Sequence, residues 1–253
     1  MNESTLADLK MTAKGFMAST DLTVGSLDLR GSGVTHLPKG LTVTGDLDLC
    51  GTEIEALPAD LTVEGNLMID NMPNLKTLPE GFTVGGSLHA YASGLTSLPE
   101  GLKVGGSLLV QGMDRIDALP EDITVGTHLD LRRTCIAALP DALRHVHGNV
   151  DLWGSAIESL PDNFRVDGTL IVNDTKLTEL PANLTVKDNL FIEGTPIKAL
   201  PPGLLVGGSV FAQDSSLRNV PADAQIGGLV QGRDAVLDDM TAHTAPIGPS
   251  MSP

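Results

Sequence analysis

The pair Leu-Pro returns at Leu37-Pro38, Leu57-Pro58, Leu78-Pro79, Leu98-Pro99, Leu119-Pro120, Leu139-Pro140, Leu160-Pro161, Leu180-Pro181 and Leu200-Pro201, then becomes Val220-Pro221. The interval is always 20 or 21 residues. No other feature restricts the fold so much, because a unit this short cannot bury its apolar side alone. It has to stack on copies of itself.

One unit reads "LPKGLTVTGDLDLCGTEIEA", Leu37 to Ala56. In "DLDL" the alternation puts Leu47 and Leu49 on one face and Asp46, Asp48 and Cys50 on the other, which predicts a short β-strand with one face buried. Each coil then lays down one parallel strand. The stretch from Leu37 to Leu41 is too short and, with Pro38, too interrupted for a helix, so the return path is expected to be extended or turn. Aromatics are only 3% of the chain, so Leu, Val, Ile and Ala must fill the core, with Phe82 and Phe164 replacing core leucines.

The corner after each strand holds Gly31, Gly51, Asn71, Gly112, Gly154, Asp174, Gly194 and Asp214, residue types that tolerate a positive φ. Ala92 and Arg133 are the exceptions in type. One place further on, Ser32, Thr52, Ser93, Thr134, Ser155, Thr175, Thr195 and Ser215 form a column of hydroxyls able to tie the turn's own backbone. Extra residues fall in "IDNMPNLKTL", "VQGMDRIDAL" and "LRHVHGNV", each bulging one corner of one coil.

With these residues the chain resembles the leucine-rich-repeat family. "LDLRGSGVTHLP", Leu27 to Pro38, fits the family's L-x-L-x-x-N-x-L-x-x-L-P segment, with Ser or Thr where the family has asparagine. The short period and the Leu-Pro look like the 20-to-22-residue bacterial class. That resemblance implies an effector-type protein delivered into host cells, and a host protein as the target. The expected architecture is mainly β: a single solenoid of about ten to eleven coils spanning 21–240. Before it, residues 1–20 space Leu6, Leu9, Ala13, Phe16 and Met17 for one face of a capping helix, with Thr5 and Asp8 at its start. After it, the Pro- and Ser-rich tail 241–253 cannot support a core.

Thirty-two acidic against sixteen basic residues give a formal charge of −16, which disfavours nucleic acid and anionic membranes and suits a protein partner with a basic or mixed surface. No segment approaches the length of a membrane span, and "MNESTLADLKMTAKGF" does not read as a cleavable signal, so the expected location is cytoplasmic or reached by another delivery route. Cys50 and Cys135 form no metal-type pair, and no disulfide is expected.

Function is expected on the outward strand positions, which form a strip on the order of 45 Å long at about 4.8 Å per coil. Met68, His89, Tyr91, Leu109, Asp130, Arg132, Asp151, Trp153, Ile171, Phe191 and Phe211 are the candidate partner-binding residues, and Tyr91 is the only tyrosine in the chain. Large apolar side chains facing water on a regular sheet point to an interface. Asp130 and Asp151 lie side by side near Arg132 and Arg133, as Asp28 and Asp48 do near Arg30. Paired carboxylates suit acid-base chemistry, but the plainer reading is a salt-bridge cluster that steers a partner.

His145 and His147 flank Val146 on one face, with His128 one coil earlier. Without a carboxylate or cysteine set beside them, they read as a polar cluster, and no metal or cofactor is expected. Glu80, Glu100, Glu121, Asp141 and Asp162 should line an acidic ridge that keeps the solenoid soluble. The broken threonine column Thr23, Thr42, Thr62, Thr83, Thr124 and Thr185 reads as strand filler rather than an ice-binding face. There is no nucleophile elbow, phosphate loop or zinc-finger spacing, so the chain is expected to be a non-enzymatic binding scaffold. The alternative is a structural component of a larger assembly such as a phage virion.

Overall fold

The computed structural model describes residues 22–232 as a β-solenoid of stacked coils with parallel strands. The alternating segment of each coil forms one two-residue strand. These strands, from Leu27–Asp28 to Val230–Gln231, build an eleven-stranded sheet that follows the chain coil by coil. Equivalent repeat positions face one another, as in Leu27↔Leu47↔Leu67↔Leu88, so the period in sequence is the register in space.

The Leu-Thr-Val segment adds a second strand to each coil, because its Thr and Val favour extended backbone and meet identical neighbours one coil away. These strands form a six-stranded sheet from Leu22–Val24 to Thr124–Val125, then a five-stranded sheet from His145–Val146 to Gln225–Ile226. The gap has a sequence cause. Between Leu143 and Val146 stand two residues, Arg144 and His145, where the preceding coil has only Thr124 between Ile123 and Val125. A single 3-10 turn, Asp141–Leu143, takes up this return path, and the side-sheet ladder restarts on its far side.

The inward residues of both strands and of the return path form one continuous core. Leu41, Val43, Leu47, Leu49 and Ile54 are fully buried, Phe82 and Phe164 occupy the leucine positions assigned to them, and Leu129 and Leu131 are buried on either side of half-exposed Asp130. In the first and last coils, Leu22, Val24, Ile226 and Val230 are only partly buried.

All ten corners adopt the left-handed conformation. Ala92 (φ +50°) and Arg133 (φ +55°) do so alongside Gly51 (φ +67°) and Asn71 (φ +55°), so stacking imposes the turn even on residues for which it costs about 1–2 kcal/mol. Just past it, the hydroxyls of Thr134, Thr175, Thr195 and Ser215 donate to the carbonyl three residues back, at 2.6–2.8 Å. The buried oxygens of Ser32, Thr52 and Ser155 have no hydrogen-bond partner among the described residues.

Cys50 and Cys135 are free thiols. Among the described residues no helix is long and apolar enough to cross a membrane. The helix expected over 1–20 and the tail 241–253 lie outside the described residues.

Candidate functional site

The outward face of the eleven-stranded sheet has three columns. The middle one reads Asp28, Asp48, Met68, His89, Leu109, Asp130, Asp151, Ile171, Phe191, Phe211 and Gln231, paired in register from coil to coil. Every member is half-buried, and all but Asp28 and Gln231, at the two ends, rest between side chains of the coils above and below.

A two-residue strand leaves backbone N–H groups unpaired at both ends, and outward side chains supply many of the missing acceptors. In the first column, the N–H of Asp46 donates to Ser26 Oγ at 3.1 Å and that of Asn66 to Asp46 Oδ1 at 2.8 Å. The series continues from Ser87 to Asn66, from Ser107 to Ser87, from Asn149 to His128 and from Thr169 to Asn149. It ends with Ser209 on Asn189 and Leu229 on Ser209. The sequence signal was available, since ten coils in a row place a side-chain acceptor at this position, from Ser26 to Ser209. These residues are the inter-coil ladder, carried on the outside of the coil.

In the third column the N–H of Tyr91 donates to Asp70 Oδ1 and that of Glu193 to Asn173 Oδ1, and four others are capped from the middle column. Asp28, Asp48, Asp130 and Asp151 each accept the N–H two residues on, at 3.0–3.1 Å. Two of these aspartate pairs clamp an arginine in the same way. Arg30 meets Asp28 at 2.7 Å and Asp48 at 3.1 Å; Arg132 meets Asp130 at 2.6 Å and Asp151 at 3.5 Å and also donates to Gln111. Hydrogen bonding from Arg30 holds the Asp28 carboxyl at about 2, below its ordinary 3.8. Asp151 moves the other way, raised by burial and by the Asp130 charge against the opposing pull of its Trp153 N–H bond and Arg132. Arg133, expected beside this cluster, is instead turned around the corner and lies over the Trp153 ring, 4.5 Å from its centroid.

The aromatic candidates are on the expected face but do not stand free in water. Phe191 and Phe211 stack nearly parallel, centroids 4.5 Å apart, and with Ile171 make an apolar ladder over three coils. Trp153 is half-buried under Arg133, and its Nε1–H donates to Asp174 Oδ2 at 2.8 Å. Stacking at this spacing lets each outward ring cover its neighbour. Only Tyr91 is exposed, at 50%. It flanks a shallow cleft of about 420 Å³ between the bulged corners, bounded by Pro73, Ser93 and Met113. The cleft exists because coils with an extra corner residue lie on both sides of a coil without one.

The acidic ridge is present: Glu80, Glu100, Glu121, Asp141 and Asp162 are all exposed. Partial desolvation, with the neighbouring Asp122 carboxylate, raises the pKa of Glu100.

The histidine pair differs from expectation. Asp167 of the next coil lies beside both rings, its Oδ2 at 2.8 Å from His145 Nε2 and 3.3 Å from His147 Nδ1, while Arg165 Nε holds its Oδ1 at 2.9 Å. Sequence reasoning missed Asp167. "HVHG" and "RVDG" occupy the same repeat register, which sets the carboxylate one coil from His147. His128 does not join them; its Nδ1 accepts the Asn149 N–H in the outer ladder.

No family model matches the chain, and no curated protein matches it as a relative.

Proposed function

We propose that the chain is a non-enzymatic scaffold that seats a protein partner on the outward face of its long sheet. The observation that carries this reading is the ladder of Ile171, Phe191 and Phe211, three half-exposed apolar side chains in register beside a charged cluster. Interfaces are built this way, from an aromatic and aliphatic centre with polar groups around it. Tyr91 and Trp153 extend the contact surface along the strip, Met68, His89 and Leu109 form its other apolar stretch, and Asp130, Arg132 and Asp151 set specificity. A solenoid presenting one regular face suits this role.

A binding role also explains the carboxylate pairs better than catalysis does. In Asp130 and Asp151, one oxygen serves a backbone amide and the other faces Arg132, so neither is left to act as base or acid. The acidic surface suits a basic or mixed partner. The resemblance to short bacterial repeats makes an effector-type role, with a host protein as target, the specific form of this proposal.

The test is affinity capture with the full chain and with a Phe191→Ala/Phe211→Ala variant, followed by direct binding of the captured protein. The variant should keep its circular dichroism spectrum and bind at least about 30-fold more weakly, as expected for losing more than about 2 kcal/mol at a hot spot. Equal binding by the folded variant overturns the assignment. A wild-type chain that runs only as large homo-oligomers favours a structural role in an assembly.

A further inference from the structure

We propose that His145, His147 and Asp167 form a surface site for a borderline divalent cation of the zinc type, clipping one coil to the next. Three features converge. The ligand atoms His145 Nε2, His147 Nδ1 and one Asp167 oxygen all lie within 4.8 Å of one another. Tetrahedral bonds of about 2.0–2.1 Å put ligand atoms roughly 3.3 Å apart, so small side-chain rotations close the set around an ion. Two imidazoles and a carboxylate are also the donor types that zinc and its neighbours select, whereas calcium and magnesium select oxygen sets.

The surroundings prepare the site. Arg165 Nε holds Asp167 Oδ1 at 2.9 Å, leaving Oδ2 turned toward both imidazoles. A metal-binding carboxylate oriented by a second hydrogen bond is the usual arrangement. Val146, fully buried between the two histidines, anchors the backbone that presents them. The remaining coordination positions face solvent, since His147 is 60% exposed and His145 39% exposed. Water or a partner's side chain completes the shell.

The location gives the ion a role. The added residue at Arg144–His145 interrupts the side sheet, and His145↔Arg165 is the first pair after the ladder restarts. A cation held by both strands of that pair fastens the opening rung of the second side sheet. Binding to the folded state alone raises its stability by mass action.

The experiment is titration of Zn²⁺ into the EDTA-stripped full-length chain by calorimetry, paired with thermal melts in Zn²⁺ and in EDTA. One equivalent should bind saturably and raise the melting temperature. Single variants His147→Ala and Asp167→Asn should each bind at least about tenfold more weakly, and His145→Ala/His147→Ala should lose the zinc-dependent shift. His36→Ala should behave as wild type. All the altered side chains are at the surface, and melts in EDTA verify that each variant is folded. No saturable binding by the wild type, or undiminished binding by the double histidine variant, overturns the site.

Discussion

Thr195 and Thr52 occupy the same repeat position and differ in one bond. Thr195 Oγ1 donates to the Ile192 carbonyl at 2.6 Å, whereas Thr52 Oγ1 is buried without a partner among the described residues. Replacing Thr195 by Val removes a buried hydrogen bond and should cost about 1–2 kcal/mol, while Thr52→Val buries a methyl in place of an idle hydroxyl and should be neutral or stabilising. Urea midpoints of the two variants measure the difference, and equal destabilisation contradicts it. At this scale the sequence was informative about type and less so about partners. The corner glycines and the hydroxyl column were legible because one residue class recurs at one position. Asp167 was missed because its role depends on a neighbour 20 residues away rather than on its own segment.

The alternation in "DLDL" made that segment legible as the strand of each coil. The Leu-Thr-Val segment, whose threonines read as strand filler, was not counted as a second strand, although Thr42↔Thr62 and Val43↔Val63 pair as regularly as the long sheet. Between the two strands the position after the valine holds glycine in some coils and Thr44, Glu64, His147, Asp167 or Lys187 in others, so the room for a side chain differs from coil to coil. A Cβ on Gly126 would overlap the Gly105 carbonyl oxygen of the coil below, a fixed backbone atom that cannot move aside. Gly126→Ala should therefore cost about 3 kcal/mol through overpacking. Gly33→Ala, with open space around its Cβ position, should stay within about 0.5 kcal/mol of wild type. Thermal melts of the pair test whether coil spacing sets this limit; a neutral Gly126→Ala shows that it does not.

The molecule as a whole carries a charge of −16, and its response to acid has two parts of opposite sign. Glu100 and Asp151, both raised, bind protons more readily folded than unfolded, so they add stability as the pH falls from neutrality. Asp28 and Asp167, each held at about 2 against 3.8, do the reverse. Their contribution is complete above 3.8 and is lost as the pH falls through about 2. Melting temperature should accordingly rise as the pH falls from neutrality toward about 4 and drop as the pH falls further, from 3.8 through about 2. Asp28→Asn should flatten the acid limb, and a steady decline from pH 7 contradicts the assignment. The coil count and the single strip of candidate residues were readable from the period alone. The half-covered state of Trp153, Phe191 and Phe211 was not, because it comes from contacts among outward side chains, which a repeat leaves free to vary.

The outer ladder also has a direction and a last rung. Most hooks reach forward to the following coil's amide, those of Ser107 and Thr169 do not, and at Leu229 an aliphatic side chain offers nothing to hang from. The coils that follow Ser107 and Thr169 stack in register without such a rung, so the ladder aligns neighbouring coils and is not what decides whether one coil can follow another.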